Sequence, residues 1–331
     1  MKRLWVMLAV IVFLSWDYHA WADSRTEEIL RSVVKIRSQI PQGASATEPL
    51  GTEREGNGIV IDGEGTILTL SFLVRDAEKT AVLGPDGAPV AASLIGYDYA
   101  TGFALLRTKK PLGVTPVQLG QSSAVKTGDP IFVAGFGGGE ALQEARVISR
   151  KEFAGSWEYL LEEAIFTAPA TTDFSGSALL DGEGRLVGIG YLYTQVAIQG
   201  FGLLPCNMFI PIDLLTPMLA DLKTTGQSLK QPRPWLGINA EEAHERVFIT
   251  KVTAGGPAEK AGLKPGDMVL MVNGQAVKSL ADFYRRAWGL GKAGVQVPLT
   301  VLQGVKLRDL QLLSGDRQKL PKSQPGKDME I

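Results

Sequence analysis

The sequence predicts a mainly β protein built as two units, and three observations carry that prediction. Its 38 glycines and 18 prolines punctuate short apolar runs, the pattern of strands joined by turns rather than of packed helices. The runs GIVID, TILTL, TAVLG, AASLIGY, FALLRT, PIFVAGF, ARVIS, AIFTA, SALLD and LVGIGYLY succeed one another at turn spacing, as in a barrel, a sandwich or a pair of them. A polar, proline-containing stretch, Lys223–Pro234 (KTTGQSLKQPRP), then separates this region from a smaller one. A chain of 331 residues with 45% hydrophobic content is long enough to bury two cores, and a formal net charge of −1 gives no basic footprint for nucleic acid.

Taken in order, residues 1–22 read as a secretory signal peptide. Lys2 and Arg3 precede the apolar run Leu4–Leu14, and Ala20-Trp21-Ala22 supplies a small-residue cleavage pattern, so export with cleavage after Ala22 is expected. The apolar run is too short to span a bilayer, which takes roughly 20 residues, and no later segment is long enough, so no transmembrane span is expected in the mature form. The single cysteine, Cys206, cannot form an internal disulfide and reads as a small buried hydrophobe. Residues 23–222 form the first unit. Thr26–Arg37 reads as a helix running into a strand, Pro41–Glu55 as a loop, and MFIPIDLLTPMLADLK, with helical spacing, as its close. GFGGGE, Gly135–Glu140, lacks the residues of a phosphate loop and reads as a mobile turn. No cluster of His, Cys and carboxylates suggests a metal site, and no cofactor motif is present.

After the linker, residues 223–234, the second unit runs over 235–313. WLGI leads to the strand VFITKV, the short helix PAEKAGL, the turn KPGD and the strand MVLMV. Asn273-Gly274 between apolar runs is a strong hairpin signal. A helix is predicted from Ser279 to about Leu290, capped by Ser279 with Asp282 three residues on, and carrying Leu280, Phe283, Ala287 and Leu290 on one face. Residues 314–331 form a polar tail expected to be disordered. Its last residues, DMEI, end on an aliphatic side chain and a free carboxylate, a form suited to a peptide groove of the same chain or a neighbour; a solvated tail is the plainer alternative.

GGPAEKAGLKPGDMVLMVNGQAV resembles the central signature of bacterial PDZ domains. That resemblance implies peptide binding, with Trp235, Leu236, Gly237 and Ile238 forming the loop whose backbone N–H groups receive a peptide's terminal carboxylate. With the signal peptide and the GNGIVID opening, the chain as a whole resembles the HtrA/Deg family of chymotrypsin-like serine proteases. The fold so implied is a chymotrypsin-like double β-barrel followed by a PDZ domain.

The resemblance also locates a catalytic triad and shows it incomplete. TLSFLV, Thr69–Val74, matches the motif that carries the family's histidine, with Phe72 in its place. GFALL, Gly102–Leu106, matches the motif of the orienting aspartate, with Gly102 in its place. DFSGS, Asp173–Ser177, matches the nucleophile motif and retains Ser175, but Asp173 stands where a glycine supplies the oxyanion hole. KTGDPIFVAGFGGG and NMFIPIDLL match further family segments. Independently of any match, a serine nucleophile needs a base within reach. The only histidines are His19, in the signal segment, and His244, in the second unit. A lysine base needs a desolvated setting, and the lysines here lie in polar contexts such as TKKP and VKTGD.

These readings lead to an exported, periplasmic or cell-envelope HtrA-like protein expected to be proteolytically inactive. It would act by binding peptides or unfolded C-termini, or an active protease relative, in protein quality control. The alternatives are an active endopeptidase using Ser175 with an unorthodox base, and a structural assembly protein in which the fold supplies a self-oligomer interface.

Overall fold

The computed structural model describes residues 24–42, 51–198, 200 and 202–319. The expected signal peptide with Ala22 and His19, and the C-terminal residues with Ile331, fall outside the described residues. A helix α1, residues 24–31, leads into β1 (Val33–Gln39). The first closed barrel has the strand order β1, β2 (Glu53–Val60), β3 (Thr66–Leu70), β6 (Phe103–Thr108), β5 (Pro89–Tyr97) and β4 (Lys79–Leu83). A single helical turn, α2 (Ser71–Val74), follows β3. Apolar side chains of alternate β1 residues fill the interior together with Ile67 of the wholly buried β3: Val34, Ile36 and Ile67 are inaccessible to solvent. Each such side chain contributes roughly 1.5–3 kcal/mol.

The second barrel closes in the order β10 (Ala178–Leu180), β11 (Leu186–Ile198), β12 (Gly202–Pro211), β9 (Tyr159–Ala168), β8 (Leu142–Gly155) and β7 (Pro130–Ala134). β8 and β9 form a long hairpin that projects its turn, residues 156–158, away from the barrel and onto the second unit. Cys206 in β12 is fully buried, as its apolar setting demands.

The smaller unit is a sheet ordered β13 (Ile238–Ala243), β14 (Arg246–Val252), β15 (Met268–Val272), β17 (Gln296–Gln303) and β18 (Lys306–Leu313), with β16 (Gln275–Ala276) on β15. Asn273 and Gly274 both have positive φ, 48° and 72°, as a two-residue hairpin between β15 and β16 requires. α5 (Leu280–Gly289) is capped by Ser279, whose Oγ accepts the Asp282 N–H at 3.0 Å, and it buries Leu280, Phe283, Tyr284 and Ala287. The Asp282 carboxylate reaches the Lys278 N–H rather than that of Ser279, so the reciprocal cap is displaced by one residue.

Four expectations are corrected. Met208–Pro211 belong to β12, because their backbone pairs with β9 and β11, and helix begins only after two 3-10 turns, as α3 (Leu219–Thr225). Lys223–Thr225 are therefore helical rather than linker, and Lys223 pairs with Asp62 at 2.9 Å. Gly138–Ala141 fold as a 3-10 turn within the glycine-rich segment. Residues 314–319 of the tail are ordered: Ser314 is buried, Gly315 exchanges two hydrogen bonds with Trp235, and Arg317–Lys319 form a 3-10 turn (the short α4, Pro257–Lys260, packs on β18 nearby). Backbone pairing with a residue 80 positions earlier in the chain is what polar composition alone failed to signal. Among the described residues no helix is long and apolar enough to cross a membrane.

Candidate functional site

The turn Asp173–Ser177 joins the two barrels through one side chain that no sequence motif singles out. Asn57 on β2 is fully buried. Its backbone N–H and its Nδ2 donate to the Ser175 carbonyl at 2.8 and 3.2 Å, and Nδ2 also donates to Asp173 Oδ1 at 2.9 Å. Its Oδ1 accepts the Phe136 N–H at 2.9 Å, and its carbonyl accepts the Thr69 hydroxyl at 2.8 Å. Asn57, through its amide and its backbone, thus satisfies donors and acceptors from three segments at once. Asn57→Ala leaves the Phe136 N–H without its acceptor and the Asp173 carboxylate without its donor. We expect a loss of about 2 kcal/mol in urea unfolding; an unchanged midpoint would show that solvent replaces these bonds at no cost.

Ser175 itself has no such ties through its side chain. Its Oγ is buried and makes no hydrogen bond. The Asp173 N–H is engaged by Thr171 Oγ1 at 3.3 Å. The Asp173 carboxylate is fixed by Asn57 and lies 3.9 Å from Lys35 Nζ, which is paired with Glu55 at 3.0 Å. The turn is bound from the other side by β11: the Gly176 N–H donates to the Gly190 carbonyl at 2.8 Å, and the Gly190 N–H to the Ser177 carbonyl at 2.9 Å.

Phe72 and Gly102 are brought together. The Ser71 N–H donates to the Gly102 carbonyl at 2.7 Å, placing α2 beside the start of β6. Gly56 on β2 links this pair to the serine turn, since a β-carbon there would meet Leu73 of α2 at 2.6 Å and the Ser175 carbonyl at 3.0 Å. Between Phe72 and Gly102 stands Tyr191, which the sequence reading did not single out. The β11–β12 register shifts between Gly190 and Leu192, so Tyr191 is left unpaired on a bulge. Its ring meets Phe72 edge-on, with centroids 6.0 Å apart, and a β-carbon on Gly102 would lie 3.3 Å from its Cε2. Tyr191 in turn stacks on Tyr159 at 5.1 Å, and Tyr159 on Trp157 at 5.8 Å. Burial pushes the Tyr191 phenol up to about 12, so it stays protonated at neutral pH and offers no base. His244 lies exposed in the β13–β14 turn of the second unit. Among the described residues no group of three or more His, Cys, Asp or Glu is gathered as for a metal.

The loop Trp235–Ile238 holds a carboxylate, but one belonging to the chain itself. The N–H groups of Leu236, Gly237 and Ile238 donate to the Glu158 carboxylate at 2.8, 2.8 and 3.1 Å. Trp235 departs from the expected role, because its N–H pairs with the Gly315 carbonyl at 2.9 Å instead. Burial pushes the Glu158 carboxyl above its usual range, against the opposing pull of the Leu236 N–H, Arg317 and the other two N–H groups. Nothing local to WEYL, Trp157–Leu160, in the sequence marks Glu158, since the contact spans 78–80 residues.

The comparisons agree with this architecture. The family model of the trypsin-like peptidase domain matches residues 56–189, and that of the PDZ domain matches residues 234–313. A probable periplasmic serine endoprotease, DegP-like, of Pseudomonas putida is 27% identical over 292 residues, 83% of this chain and 57% of its own length. A probable periplasmic serine protease, do/HhoA-like, of Haemophilus influenzae is 29% identical over 273 residues, 78% of this chain and 57% of its own. The chain therefore spans a little over half the length of these curated relatives. The solved HtrA-type protease AlgW with decapeptide aligns with a TM-score of 0.55 at 21% identity, over 88% of this chain and 98% of that one. The serine endoprotease from Yersinia pestis aligns at 0.51 and 21%, over 88% and 97%. At such identity these two likenesses are ones of fold.

Proposed function

The chain joins a trypsin-like peptidase domain to a PDZ domain as HtrA/DegP serine proteases do, and from that premise we propose a member of this type that has given up peptide-bond hydrolysis and acts by binding. The observation that supports the reading is the packing of Phe72 and Gly102, the positions that the resemblance gives to the imidazole and the carboxylate, against the ring of Tyr191. Ser175 Oγ has no partner to take its proton, and the Asp173 N–H is turned to Thr171. The relatives named as endoproteases support the common scaffold; their activity is theirs. In this reading Phe72, Gly102 and Asp173 are the replaced positions and Ser175 is a remnant. Its ligands are C-terminal or extended segments of other exported proteins, or an active protease relative, met in the periplasm or cell envelope after cleavage behind Ala22.

The test is hydrolysis of quenched-fluorescence casein by the chain without residues 1–22, from neutral to alkaline pH, with Ser175→Ala alongside. Both proteins are expected to match the buffer blank. Cleavage by the wild type that Ser175→Ala abolishes overturns the reading and restores the active endopeptidase.

A further inference from the structure

The β8–β9 turn sits on the PDZ domain as a ligand would. β13 and α5 form the two walls of a groove that opens at the loop Trp235–Ile238. On one wall, the Ala240 N–H of β13 donates to the Ser156 carbonyl at 2.9 Å, so the turn lies alongside β13 as an added strand does. On the other, the Tyr284 hydroxyl of α5 donates to the Gly155 carbonyl at 2.9 Å. At the groove's end the Glu158 carboxylate takes the three convergent N–H groups of Leu236, Gly237 and Ile238. A backbone donor set of this kind does not distinguish a side-chain carboxylate from the terminal carboxylate of a peptide.

Two further features fit a held ligand, beside the left-handed φ of +59° that Glu158 has as the last residue of its hairpin turn. Arg285 on α5 ion-pairs with Glu152 on β8 and Glu162 on β9, gripping the hairpin on both sides of its turn. The hairpin fills only the carboxylate end, and a cleft of about 400 Å³ lined by Ala154, Ala240, Glu242 and Leu280 remains beyond Ser156.

We infer that the β8–β9 turn is a cis ligand of the PDZ groove, in which Glu158 takes the place of a peptide's C-terminal carboxylate. A protein segment with a free C-terminal carboxylate binds by displacing it. This rests on the binding role proposed above and specifies its ligand chemistry and its gate. The apparent affinity for such a segment is lowered by the fraction of molecules with the groove closed.

The experiment uses the chain without residues 1–22 and its Glu158→Gly variant, which removes the carboxylate and suits the left-handed backbone, so the hairpin keeps its fold. Hydrogen exchange is followed at the Leu236, Gly237 and Ile238 amides without ligand. Fluorescence polarisation then measures binding of a pool of labelled decapeptides ending in a free aliphatic residue, against the same pool amidated. We expect exchange at these amides at least tenfold faster in Glu158→Gly, at least tenfold tighter binding of the free-carboxylate pool, and no binding of the amidated pool. Unchanged exchange overturns the inference. Equal, tight binding by both proteins also overturns it while leaving the binding role intact. No binding by either, with accelerated exchange in the variant, upholds the cis contact and removes peptide binding from the proposed function.

Discussion

Gly176→Ala is expected to remove 4 kcal/mol or more, roughly the exceptional end of single-residue effects, and to abolish a cooperative unfolding transition at 37 °C or thereabouts. Gly176 has φ +73°, and a β-carbon there would lie 2.1 Å from the Asn57 carbonyl oxygen and 2.9 Å from its carbon. These are backbone atoms of a barrel strand, so they cannot swing aside as a side-chain end can. Relief would require moving β2 or the turn, and either movement breaks the bonds that join the Ser175 carbonyl to Asn57 and the Gly176 N–H to Gly190. The neighbouring change Ser175→Ala should be nearly silent, within about 1 kcal/mol, because it deletes a buried hydroxyl that has no partner. Urea unfolding of the two variants side by side makes the check. A Gly176→Ala protein as stable as the wild type would mean that the turn does not pack on β2 in this way. The contrast separates the two roles within the turn: the glycine and the backbone carry its architecture, and the serine hydroxyl carries none of it.

Rebuilding the triad is expected to fail. Phe72→His combined with Gly102→Asp should remain silent toward casein and cost about 3 kcal/mol, from backbone strain and lost aromatic packing. Aspartate tolerates positive φ better than most residues, yet at Gly102, with φ +86°, its β-carbon would lie 3.3 Å from Tyr191 Cε2. That ring is stacked against Tyr159, whose hydroxyl donates to the Thr101 carbonyl at 2.7 Å, so it cannot withdraw without dismantling the seam between the barrels. The new histidine would also lack an oxyanion site to serve, since the Asp173 N–H is held by Thr171; such a donor is worth on the order of 10² to 10³ in rate. Serine-dependent hydrolysis by the double variant would show that Tyr191 yields and that the cleft keeps a working oxyanion site.

Much of this was legible in the chain. The strands of both barrels follow from short apolar runs between glycine, proline and aspartate, and the second unit was readable almost element by element from Asn273-Gly274, Ser279 and the face of α5. Local signals sufficed there because turn chemistry and caps act over a few residues. They failed at Met208–Pro211, where pairing with β9 overrode a helical spacing, and at Ser314–Lys319, where a bridge to Trp235 ordered a polar tail. The site divides in the same way. Phe72, Gly102, Asp173 and Ser175 are singled out by motif resemblance, while Asn57, Tyr191 and Glu158 are not, because each acts through contacts far along the chain.

By itself the sequence determined which residue types the first unit can offer: no histidine stands between residue 19 and residue 244, and folding cannot supply a residue type that a region lacks. Only the tertiary structure decided what occupies the freed space and the peptide loop. Tyr191 reaches the cleft because a bulge leaves it unpaired, and Glu158 reaches the loop because a long hairpin carries it there. Neither outcome has a local signature, since a contact between residues 78–80 apart is set by how whole barrels and sheets pack rather than by the periodicity of any one segment.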